Sequence, residues 1–149
     1  MINVTKYSVR LVKEDCKRYE FSKTINSVEK AAALLNQVFE MESLTNEIFV
    51  VLALDTRKKI IGTFKVSEGT INSTIISCRD VFQRALLVNA DSIIIAHNHP
   101  SGDVSPSNED RIMTRAMKEA GMIMRIKLND SLIIGEDGKY FSFLKEEIL

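Results

Sequence analysis

Two apolar runs do most to limit what this chain can fold into: "EIFVVLAL" at 47–54 and "SIIIA" at 92–96. A strand with one face in water alternates apolar and polar side chains, and neither run does, so both predict strands in the core of a sheet. Three amphipathic stretches supply helices to cover it. Asn26 reads as an N-cap with Glu29 three residues on, and Val28, Ala31, Leu35, Val38 and Phe39 recur at helical spacing to about Glu40. Ser77 with Asp80 opens a second helix through Val81, Phe82, Ala85 and Leu86 to about Asn89. Ser107 opens a third, with Ile112, Met113, Ala116, Met117 and Ala120 on its apolar face and Gly121 as the residue after its end.

The remaining strands are weaker. "YSVRLV" and "RYEFS" predict a hairpin turning through Lys13–Lys17, and "IIGTFKVS" returns from the basic tip "DTRKK" as a second core strand. After the third helix, "MIMRIKL", "SLII" and "YFSFL" read as strands, with Asp137-Gly138 turning between the last two. No repeat or Pro-rich linker divides the chain. At 149 residues it predicts one α/β domain, an N-terminal strand extension at 1–27 followed by a core at 28–149.

A chain of this length buries about two-thirds of its unfolded surface, so the core needs no metal or disulfide to form. Cys16 and Cys78 belong to no CxxC pair and read as ordinary thiols. The 20 basic residues balance 20 acidic ones, which argues against a dedicated nucleic-acid binder. The start has charges every few residues and no apolar h-region, and no uncharged run reaches a membrane span, so a soluble cytoplasmic protein is expected.

Both histidines of the chain fall in "AHNHPSGDVSPSNED", Ala96 to Asp110, at the carboxyl end of the buried strand. Residues two apart in a strand share a face, so His97 and His99 project together while Asn98 projects from the other side. The loop then bends and starts a helix in which Asp110 is the third residue after the Ser107 N-cap, and a first-turn side chain leans back toward the helix start. Two imidazoles and a carboxylate suit Zn²⁺ with an open fourth position, where a bound water would have its pKa lowered to about 7. Simpler readings stand beside this one. Asp110 could be only the reciprocal member of a capping box with Ser107, and the histidines could be loop residues hydrogen-bonded locally.

The segment resembles the JAMM metalloprotease motif of the JAB/MPN superfamily: His-x-His, seven residues, Ser, two residues, Asp, here His97, His99, Ser107 and Asp110. With "VVLALDTRKKIIG" upstream and "DSLIIGEDGKYFSF" downstream, about Val28 to Leu149 is similar to the bacterial RadC-like branch. The resemblance implies a curved mixed sheet flanked by helices, related to that of zinc deaminases, one Zn²⁺ per chain held by His97, His99 and Asp110, and hydrolysis of peptide or isopeptide bonds in a peptide or protein substrate. It also implies a glutamate general base from an earlier strand. Glu47 matches that place, and Glu68, beside Gly69 in an expected turn, is the competing residue. Ser107 would donate to the oxyanion, although capping the helix competes for the same hydroxyl.

RadC-like proteins usually carry an N-terminal helix-hairpin-helix region, and a short strand pair is expected here instead, so a DNA-repair role finds no support in these residues. The alternative to a hydrolase is a catalytically idle binding module that keeps the fold. The letters "HNH" do not indicate an HNH nuclease, whose residues are spread over a ββα unit. A deaminase is disfavoured because H-x-E and P-C-x-x-C are both missing.

Overall fold

The computed structural model describes residues 1–69 and 76–149. Its elements run α1 (Val28–Phe39), a 3₁₀ turn (Met41–Ser43), β1 (Glu47–Leu54), β2 (Ile60–Gly69), α2 (Cys78–Leu87), β3 (Ser92–Asn98), α3 (Asn108–Met124), β4 (Lys127–Ile134) and β5 (Tyr140–Ser142). The strands form one mixed sheet in the order β2-β1-β3-β4-β5. Among the described strands only β3 and β4 are parallel, and α3 is the crossover between them. Helices cover both faces, as the two apolar runs require. On one face Ala31, Ala32, Leu34 and Leu35 of α1 pack on Ile48, Val50, Leu52, Ile94 and Ala96. On the other, Val81, Phe82 and Ala85 of α2 and Met117 of α3 pack on Phe49, Val51, Ile93 and Ile95. Among the described residues no helix is long and apolar enough to cross a membrane.

Several local expectations are corrected. The N-terminal hairpin does not form: "YSVRLV" and "RYEFS" carry no strand, and Tyr7, Val9 and Leu11 are exposed. Two short strands alone are marginal in water, and among the described residues neither segment pairs with the sheet as a strand. The chain joins the body from Phe21, which packs against the core on the α1 face, and at Thr24, through an isolated bridge to Lys59. The cap of α1 is Ser27 rather than Asn26, its side chain accepting from Lys30 N–H at 3.3 Å. Strand β1 is buried as expected, but β2 is a half-exposed edge strand and not a core strand. Gly121 does not end α3. The helix runs three residues further, into what read as the strand "MIM", and Arg125 in the left-handed conformation (φ 54°) closes it. Lys127 and Leu128 of "RIKL" consequently join "SLII" in the single strand β4. Of the apolar stripe expected on α3, Met117 is buried and Met113 and Ala120 pack against the core, whereas Ile112 is 68 % exposed and Ala116 is exposed; Thr114 and Gly121 are buried in addition. The Asp137-Gly138 turn is present, with both residues at positive φ (53° and 72°) as a tight hairpin turn demands.

Candidate metal centre

Strand β3 runs through His97 to Asn98, two residues beyond the apolar run. His97 continues the Ile93–Ile95 face, is buried, and lies parallel to the Phe49 ring of the neighbouring strand, centroids 6.3 Å apart. The chain then leaves the sheet. His99 N–H still donates to the Ile134 carbonyl at 2.9 Å, and a turn closed by Gly102 N–H to the His99 carbonyl, also 2.9 Å, reverses direction. Gly102 sits at φ 81°, which favours glycine. The loop rests on Gly135 of the β4–β5 hairpin, where a Cβ would lie 2.6 Å from Val104 Cγ1 and 2.7 Å from the Gly102 carbonyl oxygen. Only glycine lets the two backbones approach so closely.

Ser107 caps α3 and brings back Asp110. Ser107 Oγ accepts from Asp110 N–H at 3.1 Å, and Ser107 N–H donates to Asp110 Oδ2 at 2.8 Å, a complete capping box. The same carboxylate faces the histidines, Oδ1 at 3.1 Å from His97 Nε2 and Oδ2 at 3.4 Å from His99 Nε2. Capping and convergence on the histidines are therefore one arrangement and not alternatives. The two Nε2 atoms are 3.1 Å apart.

Tautomers follow from the surroundings. His99 Nδ1 lies 2.7 Å from the Asp103 carbonyl oxygen, which can only accept, so Nδ1 carries the proton and the Nε2 of neutral His99 presents a lone pair to the cluster. His97 Nδ1 is buried with no hydrogen-bond partner among the described residues. Burial pushes the Asp110 pKa up, but the His97 and His99 hydrogen bonds and the His97 charge prevail and hold it well below the usual carboxylate range. Asp110 is thus an anion at any ordinary pH. Its hydrogen bond chiefly raises the His99 pKa, with burial opposing and the Asp103 carbonyl and the charges of Asp110 and Glu47 adding.

One ligand atom from each of His97, His99 and Asp110 lies within 4.8 Å of the others, so the group could hold a metal ion. Ligands about 2.0–2.1 Å from a tetrahedral ion stand about 3.3 Å apart, close to the observed separations. Two soft-to-borderline nitrogens and one anionic oxygen, with the site open toward solvent at His99, fit such an ion.

The register separates the two glutamates. Phe49 pairs with His97, so Glu47, two residues earlier, lies on the histidine face of the sheet. Glu68 is inside β2 and not in a turn; it pairs with Ile48, on the opposite face, and is bound by Lys65. Thr70, the end of the expected turn, lies outside the described residues.

Asn98 was read from the sequence only as the spacer between the histidines. It is buried, its Oδ1 accepting from Ile48 N–H at 2.7 Å and its Nδ2–H donating to the Asn46 carbonyl at 3.0 Å. Leaving a buried polar group of this kind unpaired would cost about 1–3 kcal/mol. The signal was available: alternation turns Asn98 into the core, where an amide must find partners.

The RadC-like JAB domain model matches residues 25–148, nearly the whole chain. The chain belongs to the RadC-like JAB domain family. It is 45 % identical over 111 residues to a UPF0758 protein of Pelobacter propionicus, covering 74 % of this chain and 48 % of that one. A UPF0758 protein of Thermotoga maritima is 45 % identical over 107 residues, covering 72 % and 48 %. One of Trichlorobacter lovleyi is 44 % identical over 110 residues, covering 74 % and 47 %. The RadC-like chain thus spans about half the length of these relatives. Their names state no activity, so the chemistry must be read from the site.

Proposed function

We propose that this RadC-like JAB domain is a zinc-dependent hydrolase of JAMM type that cleaves a peptide or isopeptide bond. The observation that carries the reading is the convergence of the His97, His99 and Asp110 donors on the sheet face that also bears Glu47. His97, His99 and Asp110 would hold one Zn²⁺ per chain. Bound there, the ion supplies Lewis acidity, polarising an amide carbonyl and lowering the pKa of water to about 7.

The chain's own residues divide the remaining work. Glu47 takes a proton from the attacking water as its oxygen bonds to the carbonyl carbon, and passes that proton to the leaving amine as the carbon–nitrogen bond breaks. Ser107 donates its hydroxyl proton to the developing oxyanion. The capping bond uses only the acceptor side of that hydroxyl, so cap and donor can operate at once. Asp110 keeps a fixed negative charge beside the imidazoles, and the Asp103 carbonyl keeps His99 in the ligating tautomer. The substrate is a peptide or protein. The balanced charge of the chain offers little to a nucleic acid.

The test is metal analysis of protein purified without chelator or metal-binding tag, followed by turnover of an end-blocked peptide and isopeptide library by the zinc-loaded chain. One zinc per chain is expected, with turnover lost by about 10²-fold or more in Glu47→Gln at unchanged zinc content. Retained activity in Glu47→Gln with loss in Glu68→Gln would make Glu68 the base. Zinc-loaded protein that cuts nothing in the library would favour a binding module.

A further inference from the structure

The β1–β3 ladder ends at the Phe49–His97 pair, and Glu47 lies two residues further outward along β1. Nothing in the β3 main chain is paired with that position. The Asn98 side chain takes over: its amide has the donor and acceptor of a peptide group, and it grips the Asn46 carbonyl at 3.0 Å and the Ile48 N–H at 2.7 Å. These two groups belong to the peptide units on either side of Glu47. Both torsions that aim the Glu47 side chain are therefore referred to the one residue that lies between His97 and His99. Asn98 itself is only 1 % exposed, and its main chain is paired with Ile134 of β4, so the clamp is anchored in the sheet interior. On its other side Glu47 is paired only with Gly69, the last residue of the edge strand β2.

We propose that Asn98 is a positioning residue, holding the Glu47 backbone in fixed register with the metal-binding histidines. It touches neither substrate nor metal. This deepens the reading of Glu47 as general base and rests on it for its catalytic consequence, whereas its geometric consequence can be measured without any turnover. A buried asparagine that served stability alone would leave the Glu47-to-metal geometry unchanged when replaced in a folded variant.

The probe is Co²⁺ in place of Zn²⁺, with NMR of the whole chain. In Asn98→Leu, a replacement of similar volume without the amide, the Ile48 amide should exchange with solvent at least about tenfold faster. The cobalt-induced shifts of the Glu47 amide and side chain should move away from wild-type values while those of the His97 and His99 rings do not. One metal per chain should still bind. Asn98→Ser, which can keep one of the two bonds, should fall between Asn98→Leu and wild type, and it serves as the test should Asn98→Leu not fold. Unchanged Glu47 shifts in a folded variant whose Ile48 amide has lost protection would overturn the proposal. With a hydrolysed peptide in hand, Asn98→Leu should lower kcat by about 10²-fold, as a reacting group misplaced by about 1 Å does, with KM little changed. The double variant with Glu47→Gln should be no slower than Glu47→Gln alone. Wild-type turnover in Glu47→Gln would refute the base and leave the cobalt result to decide the positioning on its own.

Discussion

Thr114 donates its hydroxyl proton to Ser131 Oγ at 2.9 Å, and both side chains are buried. Thr114 follows Asp110 by one helical turn, so this bond sets the rotation of α3 that carries the carboxylate to the histidines. Thr114→Val keeps the shape and strands the Ser131 hydroxyl, for an expected loss of about 1–3 kcal/mol in urea unfolding. Adding Ser131→Ala should restore much of it, because removing both partners leaves no buried group unpaired. A double variant no more stable than Thr114→Val would show that the bond is not the source of the loss.

Gly121 is required by contact and not by backbone conformation. A Cβ there would lie 2.5 Å from the Ile126 carbonyl oxygen and 3.4 Å from Phe82 Cζ, and a main-chain oxygen at the start of β4 cannot swing aside as a side chain can. Gly121→Ala should therefore destabilise by about 1–3 kcal/mol, although alanine is the better helix former. Gly62→Ala, with nothing within 4 Å of its Cβ, is the control and should have little effect on the thermal midpoint. Equal effects at the two positions would refute the close-approach argument.

The His99–Asp110 pair gives the metal-free protein a pH signature. Asp110's hydrogen bond chiefly raises the His99 pKa, so the stability it contributes is complete below the unfolded value of about 6.5 and is lost as pH rises through the higher folded value. For Asp110, whose folded pKa is lowered despite its burial, the contribution is present above about 3.9 and is lost as pH falls through the folded value. Thermal unfolding in chelator should show the pair's largest contribution between about pH 4 and about 6.5, and Asp110→Asn should remove it. Metal binding runs the other way. A proton held more tightly by His99 competes with zinc from above pH 6.5, so zinc affinity should fall as acid is added through the raised His99 titration, and a flat profile down to about pH 6 would contradict the ligand assignment.

Asp130 is a buried carboxyl on β4 that accepts from Ser131 N–H at 2.7 Å, Leu144 N–H at 3.0 Å and Ser142 Oγ–H at 2.6 Å. Burial raises its pKa against these bonds and the Lys145 charge. Its contribution is accordingly complete below the unfolded value of about 3.9 and is lost as pH rises through the folded value. Asp130→Asn keeps an oxygen for the two amides and has no charge to desolvate. The stability difference between wild type and Asp130→Asn, measured by urea unfolding across a pH series, should shift in favour of the variant as pH rises through the Asp130 titration. A difference independent of pH would rule out this account.

What the amino-acid order determined by itself was everything closed within a few residues or written as a period. Ser107 and Asp110 cap a helix because one turn brings them together. Asp137-Gly138 turns a hairpin because those residues tolerate positive φ, and His97 and His99 share a face because a strand repeats every two residues. The unbroken apolar runs announced a sheet covered on both sides, and the spacing of the motif pointed to its family. Tertiary structure decided the rest. The sequence favours Glu47 over Glu68 only through the resemblance and an expected turn at Glu68, and it is the pairing of Phe49 with His97 and of Ile48 with Glu68 that puts one on the histidine face and the other away from it. The partners of Asn98 are some 50 residues distant, and the buried places of Thr114 and Gly121 in α3 are assigned by Ser131 and Ile126 across the layer. Conversely, the N-terminal segment has a respectable strand pattern and forms no strand, since pattern supplies only half of a ladder. Local torsions and periodicity are properties of the chain, whereas register, close approach and the satisfaction of buried polar groups belong to pairs of segments and exist only once the layers have packed.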